Sequence, residues 1–303
     1  MGADHTHAPA ASAPRRRLII AFSITTTVFV TEVVGAIITG SLALLVDAAH
    51  MLTDVIGLAL ALTAAHLMDR QPSARYTWGL RRSEVLGALA QAALLLGVGI
   101  FALVEGVRRL FEPPEISSGS LLFFGIVGLL ANVASLFVLM GGRTSNLNMR
   151  AAFLEVVNDA LGSVGVIVSA ILIATVGWYR ADAVAGILIA LLIIPRTLIL
   201  LRASGSVLLE STPPGLDLEE VRRHLRELPH VVDVHDLHAS QVSTDLPVLS
   251  AHVVVDDQLT QEDSARLLRS LQECVAEHFP VAVEHSTFQI EPKSHPDEHT
   301  THA

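Results

Sequence analysis

The chain has 303 residues, of which 51% are hydrophobic and only 17% charged, with a mean hydropathy of +0.53. Soluble domains carry about 25% charged residues, so a wholly water-soluble fold is excluded. The net charge of −10 argues against a nucleic-acid partner, and the single cysteine, Cys274, excludes a disulfide framework or a cysteine-built metal site.

Polarity changes sharply along the chain. Residues 1–17 are polar and end in Arg15, Arg16 and Arg17, and they are expected to form a flexible cytoplasmic segment. The apolar run that follows is too long for a signal-peptide core, so it is read as a first spanning helix. Crossing a hydrocarbon layer of about 30 Å takes about 20 apolar residues. Six such stretches occur, at 18–39, 42–67, 84–110, 118–141, 150–175 and 182–203, making 18–203 an all-α transmembrane domain. Gly40 and Ser41 leave only a tight hairpin between the first two.

Arginine is distributed unevenly over the connections. One side holds Arg15, Arg16, Arg17, Arg70, Arg75, Arg81, Arg82, Arg143, Arg150 and Arg202, and the other Arg108, Arg109 and Arg180. The positive-inside rule then predicts that both termini face the cytoplasm.

Beyond the break at Pro213, Pro214 and Gly215, residues 210–292 read as a small soluble α+β domain. The pattern predicts a helix over 217–228, strands over 231–238 and 247–256, a helix over 261–277 and a last strand over 282–291. Residues 293–303 are a polar, histidine-containing tail expected to be disordered. Its His295, His299 and His302, like His5 and His7, are read as solvated.

Ionisable groups at bilayer depth cost several kcal/mol, so each needs a reason. In the second span Asp47, His50 and Asp54 follow at i, i+3 and i+7, on one helix face. In the fifth, Glu155 and Asp159 share a face, with Ser163 one turn further on. His50, Asp54, Glu155 and Asp159 can therefore offer four nitrogen or oxygen donors to one divalent ion between two helices. An empty site would crowd three carboxylates at low dielectric, where they cannot all stay ionised, so metal binding must expel protons. Proton-for-metal exchange follows from that chemistry. Glu32, Glu105, Gln91 and Asn132 are weaker signals, explained equally by helix–helix hydrogen bonds.

The segments SLALLVDAAHMLTDVIGLALAL (41–62), YTWGLRRSEVLGALAQAALLL (76–96), NMRAAFLEVVNDALGSVGVIV (148–168) and VHDLHAS (234–240) carry a family resemblance, with SAHVVV (250–255) and HSTFQIE (285–291). Over nearly its whole length the chain resembles the cation diffusion facilitators, specifically the bacterial zinc, cobalt and cadmium exporters. The resemblance implies a homodimer of six-helix protomers in the bacterial inner membrane, exporting a divalent cation by alternating access against inward proton flow. It implies a ferredoxin-like dimerisation domain in which His235, His252 and His285 form a cytoplasmic metal-sensing site, with Zn²⁺ its expected occupant. His238 is a further candidate, and Ser240 stands where the family often has tryptophan. Zinc-transporting relatives usually have histidine at the position of Glu155. A carboxylate there hardens the site and favours Mn²⁺ or Fe²⁺ as the alternative cargo, although His50 keeps zinc first. No histidine occupies the 68–83 loop, so a metal site there is expected to be absent. The short GGRTSNLN connection fits a bacterial protein.

Two rival readings are a metal channel, which would need a continuous polar pore, and a membrane metal sensor. No nucleophile–base arrangement, P-loop or GxGxxG supports an enzyme. No cofactor beyond the transported metal is expected.

Overall fold

The computed structural model describes the backbone of residues 12–140, 147–257 and 259–294. Side chains are described from residue 23, excepting 58, 147–152 and 155 within those ranges. The expectations for residues 1–11 and the histidine tail, and the side chains of Arg15, Arg16, Arg17, Arg143, Arg150 and Glu155, lie outside the described residues.

Six long helices come first: α1 (Ser12–Thr39), α2 (Leu42–Met68), α3 (Ser83–Phe111), α4 (Ser118–Met140), α5 (Leu147–Val176) and α6 (Arg180–Leu208). Five have spans long and apolar enough to cross a membrane, and the described apolar part of α1 is the shorter Ser23–Thr39. Exposed Ile37, Leu62, Phe137 and Leu192 face outward, as lipid-facing side chains do. The chain is a multi-pass membrane protein.

Contacts divide the chain into two compact units. The first comprises residues up to Leu58 together with Gln91–Leu198. Its apolar centre joins Leu42, Leu44 and Val46 of α2 to Leu121 of α4, Val166 and Ala170 of α5 and Ile189 of α6. On α4 the buried residues Leu121, Gly125, Gly128, Asn132, Ser135 and Leu139 recur every three or four positions, one helical stripe. Gly40, at φ 67, ends α1 in the left-handed conformation that glycine adopts without strain. Its N–H donates to the Ala36 carbonyl at 2.9 Å.

The next turn is held from a distance. Asp182, 1% exposed at the start of α6, accepts from the Leu42 N–H at 2.6 Å, the Ala43 N–H at 3.4 Å and the Ser41 hydroxyl. A carboxylate thus caps the N-terminus of α2, where free amides and the helix dipole favour an anion.

The second unit, Ala59–Ala90 with Ile199–Ala303, contains the α+β domain. Its order is α7 (Leu218–Arg226), β1 (Val231–Ser243), β2 (Leu246–Val255), α8 (Gln261–Glu277) and β3 (His285–Pro292). β1 pairs antiparallel with β2, and β2 parallel with β3. Leu249, Ala251, Val253 and Val255 alternate inward and meet Val221 and Leu225 of α7 and Leu267 and Leu271 of α8. Cys274 is buried in that core. β1 runs five residues beyond the predicted strand, because a two-residue turn at Thr244 and Asp245 lets Ser243 pair with Leu246.

Candidate functional site

In α2, Asp47 and His50 are buried and Asp54 half-buried, with His50 Nε2 3.6 Å from Asp54 Oδ2. In α5, Asp159 and Ser163 are buried. One cavity of about 40 Å³ is lined by Asp47, His50, Asn158, Asp159, Gly162 and Arg196. The structure thus brings His50 and Asp159, from separate helices, to the lining of one pocket. Glu155 belongs to α5 by its backbone, one turn before Asp159.

Arg196 was not singled out in the sequence. It lies inside α6, one residue past Pro195, where an uninterrupted apolar run hides a lone charge from a length-based reading. An intramembrane guanidinium is expensive, and here it borders the acidic cavity. Asp182 was missed in the same way, as a helix-start acid whose partners lie 140 residues away.

A second cluster forms on the face of the sheet opposite α7 and α8. His235 and His252 are directly opposed across β1 and β2, their ring centroids 5.2 Å apart. Glu291 of β3 completes the group, with Oε2 3.3 Å from His235 Nε2 and Oε1 2.9 Å from His252 Nδ1. Among the described residues this is the one trio whose donor atoms all lie within 4.8 Å of one another, and no membrane trio is drawn as close.

Burial pushes the Glu291 carboxyl up, but the Gln289 hydrogen bond and the adjacent His252 and His235 outweigh it and hold it below the usual range. A bulge between His235 and His238 carries Asp236 at φ 48, and its carboxylate meets His238 at 2.9 Å and His252 at 3.6 Å. Bulges re-aim side chains in this way next to binding sites.

His285 does not join this cluster. It pairs with Val248, whereas His252 pairs with Gln289, so the parallel register leaves His285 four residues, about 13 Å, along the sheet. Its ring instead packs edge-on against Trp78 with centroids 4.6 Å apart. Glu291 supplies the donor expected of His285, and only the strand register could have revealed it.

Helices of membrane length, a buried pair of facing acid and histidine donors, and a small α+β domain define a membrane carrier of cations. The comparisons agree. Residues 18–209 match the cation efflux transmembrane domain, and residues 213–293 match the cation efflux protein cytoplasmic domain. Among relatives, the metal cation efflux system protein CzcD of Cupriavidus metallidurans is 41% identical over 291 residues, 96% of this chain and 90% of its own. The zinc transporter ZitB of Escherichia coli is 39% identical over 278 residues, 91% and 87% of the two chains. A cadmium, cobalt and zinc/H(+)-K(+) antiporter of Bacillus subtilis is 36% identical over 297 residues, 97% and 93%. The chain belongs to the cation efflux family.

Proposed function

We propose that this protein exports divalent metal ions from the cytoplasm, zinc first and also Cd²⁺ and Co²⁺, in exchange for protons. The observation that carries this reading is the shared cavity of His50 and Asp159. His50, Asp54, Glu155 and Asp159 form the transport site. Metal entering from the cytoplasm displaces their protons, the helices rock, and reprotonation from outside weakens the hold on the metal. A borderline metal suits a site that keeps one imidazole beside carboxylates. The relatives named for zinc, cadmium and cobalt favour that cargo over the Mn²⁺ or Fe²⁺ alternative drawn from Glu155, and the efflux family match favours a transporter over a sensor. The Bacillus subtilis relative's name supports exchange against counter-moving cations.

The protein sits in the bacterial inner membrane with both termini cytoplasmic, by the arginine asymmetry. It works as a homodimer through the α+β domain, which the matched cytoplasmic domain supports. That domain senses cytosolic metal at His235, His252 and Glu291. Charged groups join it to the connection between α2 and α3, through Arg82 to Glu210 at 2.8 Å and Arg81 to Asp245 at 3.7 Å.

The test is Zn²⁺ flux into everted vesicles under an imposed pH gradient. Flux should collapse when the gradient is dissipated, whereas uphill transport without one would overturn the exchange.

A further inference from the structure

A second polar layer adjoins the transport cavity, which Asp47 also lines, and extends one helical turn towards the Gly40 hairpin. Glu32 of α1 and Asp47 of α2 stand eight residues before and seven after Gly40, so the hairpin sets them level. Their carboxyl groups are within hydrogen-bonding reach of each other. Both are buried, at 1% and 2% exposure, as are Asn132 and Ser135 of α4 and Ser163 of α5.

Two glycines let this layer close. A methyl group at Gly128 would lie 3.1 Å from Ser163 Oγ and 3.3 Å from Glu32 Oε1, and one at Gly162 would lie 3.1 Å from both Asp47 oxygens. Asn132 Nδ2 donates to the same Ser163 hydroxyl at 3.3 Å.

Among the described residues, Glu32 Oε2, Asp47 Oδ2, Asn132 Oδ1 and Ser135 Oγ are buried without a hydrogen-bond partner. Leaving such atoms unsatisfied within a membrane costs several kcal/mol each. All four are oxygens, and the one nitrogen among these side chains, Asn132 Nδ2, is turned to donate to Ser163. That set suits a hard cation and not a zinc-class one. A second divalent ion one turn from the first would meet strong repulsion at low dielectric, and a singly charged ion halves it.

From this geometry we propose that Glu32, Asp47, Asn132 and Ser163 form a binding site for an alkali-metal cation, whose oxygens replace its hydration shell. Resting on the exchange reading above, the bound ion is a counter-ion that neutralises the carboxylates when the transport site is empty of metal.

The test uses purified full-length protein in lipid nanodiscs, melted in choline chloride and then with KCl or NaCl at constant ionic strength. Alkali salt should raise the melting temperature saturably. Asn132→Leu and Ser163→Ala should each raise the concentration for half effect by roughly tenfold, while the Zn²⁺-induced rise persists. Equal melting in choline and alkali salts, or stabilisation that follows pH alone through a shared proton, would overturn the site. Should the variants fail to fold, equilibrium binding of ⁸⁶Rb⁺ to the wild type decides, because saturable binding competed by K⁺ is required. Zn²⁺ flux under an imposed pH gradient in KCl-containing vesicles separates the two readings. Absent flux with intact K⁺ stabilisation sinks the exchange reading alone, and intact flux without K⁺ stabilisation sinks the site alone.

Discussion

Asp159 and Asp182 are both buried carboxylates at about the same level of exposure, and they do opposite work. Asp182 is satisfied by two backbone amides and a hydroxyl, so its role is architectural. Asp182→Ala leaves the first amides of α2 unmet and should cost about 1–3 kcal/mol, read as a lower unfolding midpoint in detergent. Asp159 borders the cavity shared with His50. Asp159→Asn or Asp54→Ala should abolish Zn²⁺ flux in vesicles while size-exclusion chromatography still reports a folded dimer. Normal flux in either variant would misplace the site. Glu155→His replaces an oxygen donor with nitrogen, and a competition assay of Zn²⁺ against Mn²⁺ and Fe²⁺ should move towards zinc.

At the scale of elements, the sequence carried the helices and strands but not how strands align. The apolar runs located the six long helices, five of them with spans of membrane length, because bilayer thickness dictates such runs. Helix α8 was legible to the residue, since the acids Glu262 and Asp263 mark its first turn, and the structure adds Thr260 as its N-cap. The third donor of the cytoplasmic cluster was not legible. Choosing between His285 and Glu291 required the parallel register of β3 on β2, which side-chain alternation alone leaves open.

The Thr260 cap has its own consequences. Thr260 accepts from the Asp263 N–H at 3.2 Å and donates to the Asp263 carboxylate, and that bond, with nearby Arg266, holds Asp263 below the usual aspartate range. A depressed folded pKa contributes stability above the unfolded value of about 3.9 and loses it as pH falls through the lower folded value. Asp263→Asn should therefore flatten the acid limb of the full chain's thermal stability below about pH 4, leaving neutral pH little changed. Thr260→Ala should cost about 1 kcal/mol, seen as earlier loss of α8 protection in hydrogen exchange.

For the molecule as a whole, the proximity of His50 and Asp159 was more legible than what surrounds them. The i,i+4 spacing in α2 and α5 could be read without the fold, because a helix places such pairs on one face whatever the packing. The features around them depend on which helices touch. Arg196 beside the cavity, Asp182 capping α2 and the oxygens gathered at Gly128 each need a third helix to be in place. If the α+β domain senses metal and the membrane domain moves it, removing residues 210–303 should leave measurable Zn²⁺ flux in vesicles. Complete loss of flux would instead make the domain part of the transport step.

The cap that Asp182 places on α2 also constrains how the carrier can rock. With its first carboxylate bound into the opening turn of α2, α6 is hinged to the very helix that bears His50 and Asp54. On the exchange reading proposed above, those two helices travel as one lever, with α5 as the partner they move against. The stroke that changes sides is borne by the seam between α5 and that lever, and a covalent link across it should arrest export where one between α2 and α6 should not.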